Sequence, residues 1–316
     1  MFVFGPIPSR RLGQSLGVNT IPPKRCSYAC GYCQVASPTT MQLLRADFAA
    51  VADVAAAVTR RVAECRAAGQ RIDHLSFVPD GEPTLDAQLG EEIRALKVLG
   101  IPVAVITNGS LLWRSDVRRD LEEADLVSIK VDAVREAAWR RVNRPSPELG
   151  LARVLGGVAT FAAGFRGTLW TETLLVAGGN DEEAEVRATA QFLERLAPAR
   201  AYLSPPTRPP FESGIAAPAA QVLVRSWAIM REHLPHVELL GAETRGGFGA
   251  AGDEIEGLLA ILEIHPMTAH AVEAWLSRSP EASESFRRLV TDGSIAPVRY
   301  AGVTYYTRRL ATAGAT

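Results

Sequence analysis

Cys26-Ser27-Tyr28-Ala29-Cys30-Gly31-Tyr32-Cys33 puts three thiols within eight residues in the spacing C-x3-C-x2-C. Three thiolates on one short loop can wrap a corner of a cuboidal iron–sulfur cluster and ligate three of its four irons, leaving the fourth open to a small chelating molecule. Gly31 lets the backbone pass close to the inorganic core. Zinc is the competing reading, but structural zinc takes four protein ligands, usually in paired C-x2-C knuckles. The only other cysteine, Cys65, falls on a helical stretch, and the nearest histidine, His74, is far along the chain. The residues favour a [4Fe–4S] cluster on Cys26, Cys30 and Cys33.

Outward from this loop, apolar runs alternate with amphipathic ones. Asp47–Arg66 reads as a helix, with Val51, Val54, Val58 and Val62 three or four residues apart. Further helices are expected at Leu85–Leu99, stopped by Gly100, and at Ser115–Glu123, Leu151–Ala163, Asp181–Leu196 and Ala219–Leu234. Strands are expected at Ile72–Val78, Val103–Thr107, Leu126–Val131, Leu169–Val176 and Ala201–Ser204. The Pro-rich start reads as irregular. Repeated βα units with right-handed crossovers build a parallel sheet. About six units are too few to close an eight-stranded barrel. The expected class is α/β, a partial (β/α)6 barrel over residues 1–240.

Gly246, Gly247, Gly249 and Gly252 break all periodicity, and residues 241–252 read as a linker. In residues 253–316, helices at Glu254–Ile264, Thr268–Leu276 and Ala282–Asp292 precede a hairpin of Ile295–Tyr300 and Val303–Arg308. Three helices followed by a β-ribbon outline a small winged-helix-like module. Arg287, Arg288, Arg299, Arg308 and Arg309 could meet phosphates, yet the module holds eight Asp/Glu against six Arg, unlike a basic DNA-binding domain. A peptide, partner or structural role for it is therefore favoured over nucleic acid. His265 and His270, without cysteine partners, read as helix-boundary residues.

The 316 residues are 47% hydrophobic and 22% charged with a net charge of −1, which suits a globular core and gives no global field for nucleic acid or anionic membrane. Charged residues interrupt every apolar run before membrane-spanning length, and Pro6 spoils a signal peptide. A cytoplasmic protein with no membrane partner is expected. Clustered cysteines in a reducing compartment favour metal over disulfides.

The cysteine loop resembles that of the radical S-adenosylmethionine (SAM) superfamily, and three strand ends extend the likeness. Asp80-Gly81-Glu82-Pro83-Thr84 is similar to the family's G-E-P turn at the SAM amino group. Thr107-Asn108-Gly109 and Ser128-Ile129-Lys130-Val131-Asp132 are similar to its later strand ends, Lys130 matching a lysine near the SAM carboxylate. A zwitterionic amino acid needs a carboxylate for its ammonium and a cation for its carboxylate. The resemblance thus implies a [4Fe–4S] cluster and SAM as cofactors, with Tyr32, Gly81, Glu82, Pro83, Asn108, Ser128 and Lys130 as SAM contacts. It also implies reductive cleavage of SAM to a 5′-deoxyadenosyl radical, and a one-electron reductant such as flavodoxin or ferredoxin. No hydrogen-donor residue is identified.

The opening Phe4–Gly13, Pro22-Pro23, Arg144-Pro145, Pro205–Pro210 and Ile264–Met267 resemble a radical SAM group placed near the tRNA wybutosine-synthesising enzymes. Those enzymes engage pyruvate on a second cysteine-ligated cluster, which Cys65 alone could not hold, so the likeness does not carry their reaction across. Open readings are a radical enzyme acting on RNA, a peptide or a small molecule, and a glycyl-radical activase acting on a partner enzyme. A non-catalytic iron–sulfur regulator is disfavoured, because a sensor needs no SAM site.

Overall fold

A computed structural model describes residues 2–34, 40–210, 212, 214–240, 255, 258–259, 261–262, 266–277, 279–300 and 302–308. The expected linker at 241–252 and most of the helix expected at 254–264 lie outside the described residues.

The first element corrects the irregular start. Val3–Ser9 (β1) and Gly13–Val18 (β2) form an antiparallel hairpin. Proline is tolerated here because β1 is an edge strand, and the register shifts between Phe4 and Ile7, across Gly5-Pro6. Phe4 lies directly on Gly17, where a Cβ would meet its ring at 1.9 Å. The short strands Arg25–Cys26 (β3) and Thr40–Met41 (β4) pair in parallel at the cysteine loop.

Five βα steps follow. His74–Phe77 (β5), Val103–Thr107 (β6), Leu126–Lys130 (β7), Thr168–Leu174 (β8), Arg200–Ser204 (β9) and Val237–Leu239 (β10) extend the sheet from β2. The eight-stranded order is β1-β2-β5-β6-β7-β8-β9-β10, parallel from β2 onward. With β1 and β10 at its two ends, this is an open, partial barrel.

The helices cover the outer face. Val51–Ala67 (α1) buries Val54, Val58, Val62 and Cys65, spaced for one helical stripe. Leu89–Lys97 (α2), Ser115–Glu122 (α3), Leu151–Gly164 (α5), Glu183–Leu196 (α6) and Ala220–His233 (α7) pack against alternate strand residues such as Val103, Val105, Val127, Ile129, Ala201 and Leu203. The helix expected at 85–99 divides, because Pro83–Leu85 forms a separate 3-10 turn before α2. A helix absent from the sequence reading, Glu136–Val142 (α4), follows β7.

Beyond the barrel, helices Ala269–Leu276 and Pro280–Thr291 accompany a three-stranded sheet of Met267–Thr268 (β11), Val303–Arg308 (β13) and Ile295–Tyr300 (β12). Phe4 and Ile7 of β1 share one apolar cluster with Leu258, Ile261, Met267, Trp275 and Phe286. Tyr300 and Tyr305 donate to the carbonyls of Pro206 and Thr207 after β9, at 2.9 and 3.0 Å. Among the described residues, no helix is long and apolar enough to cross a membrane.

One core feature predicts a measurable pH dependence. Glu92 on α2 is buried, and burial, with Asp86 nearby, pushes its pKa up to about 8 against the opposing pull of Thr20. The folded state therefore holds a proton that the unfolded chain releases near its ordinary value, so stability falls as pH rises from about 4.5 to about 8. Glu92→Gln is expected to raise Tm at pH 8 by several degrees, with the gain shrinking toward pH 5. Thermal melts across that range check it, and a gain independent of pH would contradict it.

Candidate SAM and cluster site

The cysteine loop crosses the C-terminal ends of the strands and is strapped from two sides. On one side, Lys24 N donates to the Asp80 carbonyl (2.9 Å) and Glu82 N donates to the Arg25 carbonyl (3.0 Å). Gly81 is needed there, since a Cβ would sit 1.9 Å from the Arg25 oxygen. On the other side, Ala29 N and Gly31 N donate to the carbonyls of Arg144 and Val142 (3.1 Å each), and Ser146 N donates to that of Ser27 (3.0 Å). Arg144 takes a left-handed conformation to turn this strap (φ 46°). Helix α4 supports the loop, with Trp139 edge-on to Tyr28 at 5.9 Å and its Nε1 donating to the Tyr28 hydroxyl at 3.2 Å. Gly31 does not turn the chain with a positive φ. A Cβ there would press on Ile215 and Arg144.

Each cysteine sulfur faces its own donor. Asn108 Nδ2 lies 3.5 Å from Cys26, Asn143 Nδ2 lies 3.6 Å from Cys30, and Lys24 Nζ lies 3.3 Å from Cys33. Among the described residues no three Cys, His, Asp or Glu side chains converge as one metal ion requires. A cuboid takes one thiolate on each of three irons, whereas structural zinc takes four protein ligands, and this loop offers three thiols. Burial pushes the Cys30 thiol up to about 12, and burial with Glu82 and Cys30 nearby pushes Cys26 up strongly. Such thiols become good ligands only where bound metal supplies the compensating positive charge. All four cysteines are free of disulfides, and Cys65 lies on the buried face of α1. The residues present fit a three-cysteine cluster.

The expected SAM contacts are brought together in part. Glu82 is buried, and its carboxylate binds protein first. Oε1 accepts from Thr84 N (3.1 Å), Thr84 Oγ1 (2.7 Å) and Thr107 Oγ1 (2.5 Å), and Oε2 accepts from Asn108 N (2.8 Å). Burial pushes its carboxyl up, against the pull of those four donors. Only Oε2 keeps acceptor capacity for a further donor. Pro83 opens the 3-10 turn that Glu82 caps. Asn108 joins strand end to cysteine loop, its Nδ2 also donating to Ser27 Oγ at 2.9 Å.

Lys130 and Ser128 face the barrel interior. Lys130 Nζ stands 4.0 Å from Asp132 Oδ1, 3.9 Å from Glu172 Oε1 and 5.0 Å above the Tyr32 ring. Burial works against its charge, but Glu172, Asp132 and Cys30 outweigh it and raise its pKa. Ser128 Oγ accepts from Arg11 Nη1 at 3.2 Å. Tyr32 is buried with its hydroxyl bonded to Asp132, while Asn143 Nδ2 reaches both Asp132 Oδ2 (2.6 Å) and Tyr32 (3.3 Å). A crevice lined by Tyr28, Asn108, Lys130, Asp132 and Asn143 adjoins the loop.

Several site residues escaped the sequence reading. Lys24 and Asn143 approach the sulfurs, Ser27 and Ser110 share a buried hydrogen bond of 2.6 Å, and Arg11 and Glu172 meet at 2.7 Å. Glu172 carried a usable signal, a carboxylate within an otherwise uncharged strand. Its partners are distant in sequence and carried none.

The chain matches the family model for the radical SAM superfamily over residues 20–193. It is 39% identical to the UPF0026 protein MJ1312 of Methanocaldococcus jannaschii over 309 residues, covering 97% of this chain and 96% of that one. A UPF0026 protein of Helicobacter pylori is 30% identical over 308 residues, covering 96% of each. In fold it is similar to TYW1 with a lysine–pyruvate adduct bound (TM-score 0.55, 17% identity, 70% of this chain and 74% of that one). It is also similar to a radical SAM methyltransferase from Sphaerobacter thermophilus (TM-score 0.53, 17% identity, 73% and 67%). Members of the matched family use a [4Fe–4S] cluster and SAM, and the chain belongs to the radical SAM superfamily.

Proposed function

We propose that this enzyme cleaves SAM at a single [4Fe–4S] cluster held by Cys26, Cys30 and Cys33 and directs the resulting radical at a macromolecular substrate. The observation that carries the reading is the three-cysteine loop, each sulfur with its own hydrogen-bond donor, strapped beside the strand ends that carry Glu82, Asn108 and Lys130. When bound, the cluster supplies the single electron that breaks the SAM sulfonium bond.

The chain's own residues position and insulate. Asn108, Asn143 and Lys24 direct hydrogen bonds at the sulfurs, a contact that tunes cluster potential. In this reading Lys130 takes the SAM carboxylate, with Oε2 of Glu82 and the Gly81 turn on the ammonium side. Tyr32 packs beside Lys130 and holds it against the loop. A flavodoxin or ferredoxin would deliver the electron.

The order of strand, two helices and hairpin over residues 267–308 supports a winged-helix-like module within residues 253–316. Its helix Pro280–Thr291 interleaves Arg287 and Arg288 with Glu284 and Asp292, and Arg288 is bonded to Glu284. Mixed charge suits a peptide better than the phosphates of RNA.

Three outcomes are expected. Anaerobically reconstituted protein given SAM and dithionite forms 5′-deoxyadenosine, and Cys30→Ser lowers the yield at least about a hundredfold, about 2.7 kcal/mol in the barrier. No product from well-loaded protein, or an unchanged yield in C30S, would sink the reading. Lys130→Ala keeps the cluster absorbance but weakens SAM binding about tenfold, about 1.4 kcal/mol, measured by equilibrium dialysis. Gly81→Ala lowers bound iron per chain, because its Cβ displaces the Arg25 carbonyl and the loop behind it, and iron and sulfide assays read this directly.

A further inference from the structure

The segment after β9, Pro205-Pro206-Thr207-Arg208-Pro209-Pro210, has little means of holding itself in place. Four of its six residues are proline and bring no N–H to a strand ladder or a helix. Its carbonyls still need donors where water is excluded. Pro206 and Thr207 take theirs from a distant element, the Tyr300 and Tyr305 hydroxyls of the β12–β13 hairpin, at 2.9 and 3.0 Å.

The other side of the same segment leans on the cysteine loop. Arg208 Nη1 donates to Gln34 Oε1 at 3.3 Å, and Gln34 follows Cys33 directly. Glu212 pairs with Arg144, the residue that turns the chain beside that loop. Ile215 packs against Tyr32, Val142, Leu174 and Val176, and a Cβ on Gly31 would press on its side chain. Ala177 N then donates to the Ala216 carbonyl at 3.0 Å, which ties the chain back beyond β8. A run of contacts therefore leads from the hairpin hydroxyls through residues 206–208 to the residue next to Cys33.

The hairpin has a firm base for this reach. Its module shares an apolar cluster with Phe4 and Ile7 of edge strand β1, through Met267, Trp275 and Phe286. Tyrosines placed only to fill that module would keep their hydroxyls within it or turn them to water. Tyr300 and Tyr305 instead come from neighbouring strands and direct both hydroxyls at one dipeptide of the barrel.

We infer that Tyr300 and Tyr305 are positioning residues that hold residues 206–208 against the cysteine loop, so that the C-terminal hairpin is an outer wall of the candidate site. The value of that wall to a radical enzyme rests on the function proposed above, while the contacts that build it do not. A wall there keeps solvent and small oxidants from the loop and makes the C-terminal module part of the site's enclosure.

The test is alkylation of full-length, iron-free protein by iodoacetamide under anaerobic conditions, with each cysteine resolved by mass spectrometry. Cys65, fully buried on α1, is the internal reference for global opening. Removing both hydroxyls, as Tyr300→Phe with Tyr305→Phe, is expected to raise the labelling rate of Cys33 at least about fivefold, while Cys65 keeps its wild-type rate. Tyr306→Phe, in the same hairpin with its ring edge-on to Phe286 at 5.0 Å, is expected to leave both rates unchanged. An unchanged Cys33 rate in the double variant overturns the inference. So does a rise that Cys65 shares in proportion, which reports general destabilisation, or an equal rise in Y306F. Failure of cluster assembly or of SAM cleavage would instead count against the proposed function, since the labelling requires neither.

Discussion

The carboxylate of Glu82 is the constraint on which the site depends. It gathers four donors from the ends of β5 and β6, and its backbone N–H holds the Arg25 carbonyl at the entrance to the cysteine loop. Hydrogen bonds to a charged acceptor contribute about 1.5–3 kcal/mol each, and a buried carboxylate stripped of them would be untenable. One side chain thus fixes the G-E-P turn, the Asn108 turn and the first cysteine relative to one another. Its satisfied state leaves it one free acceptor position. Glu82 is a scaffold first, and only Oε2 is left for the ammonium contact proposed above.

A second strap, Val142–Ser146, closes the loop from the opposite side, with the Tyr28–Trp139 contact beneath it. Together the straps hold the three sulfurs, each against a different donor. Keeping all three contacts at once requires a rigid frame. The parallel sheet supplies that frame. Its outer face is continuously apolar under the helices, and its inner face carries Ser128, Lys130, Glu172 and Ser204 on neighbouring strands.

Much of this was legible in the sequence where local pattern decides structure. Helix α1 follows from Val54, Val58 and Val62, strand β6 has the expected limits, and the strand-end positions of Glu82, Asn108 and Lys130 follow from the alternation of strands and helices. The β1–β2 hairpin was not legible, because Pro6 and Pro8 erase the alternating signal and the pairing depends on Phe4 meeting Gly17. Helix α4 is only two turns long and owes its place to Trp139 packing on Tyr28. The donors to the sulfurs were equally hidden, since Asn143 gains meaning only when the fold brings it to Cys30, more than a hundred positions away.

In the proposed site, Cys26, Cys30 and Cys33 alone hold one cluster with an iron open to SAM. Its most direct test is electron paramagnetic resonance of the anaerobically reconstituted, dithionite-reduced protein, recorded with and without SAM beside an iron assay. The account predicts about four irons per chain, a single signal whose shape changes when SAM is added, and unaltered iron loading in Cys65→Ser. A signal indifferent to SAM, or iron loading that depends on Cys65, would contradict it.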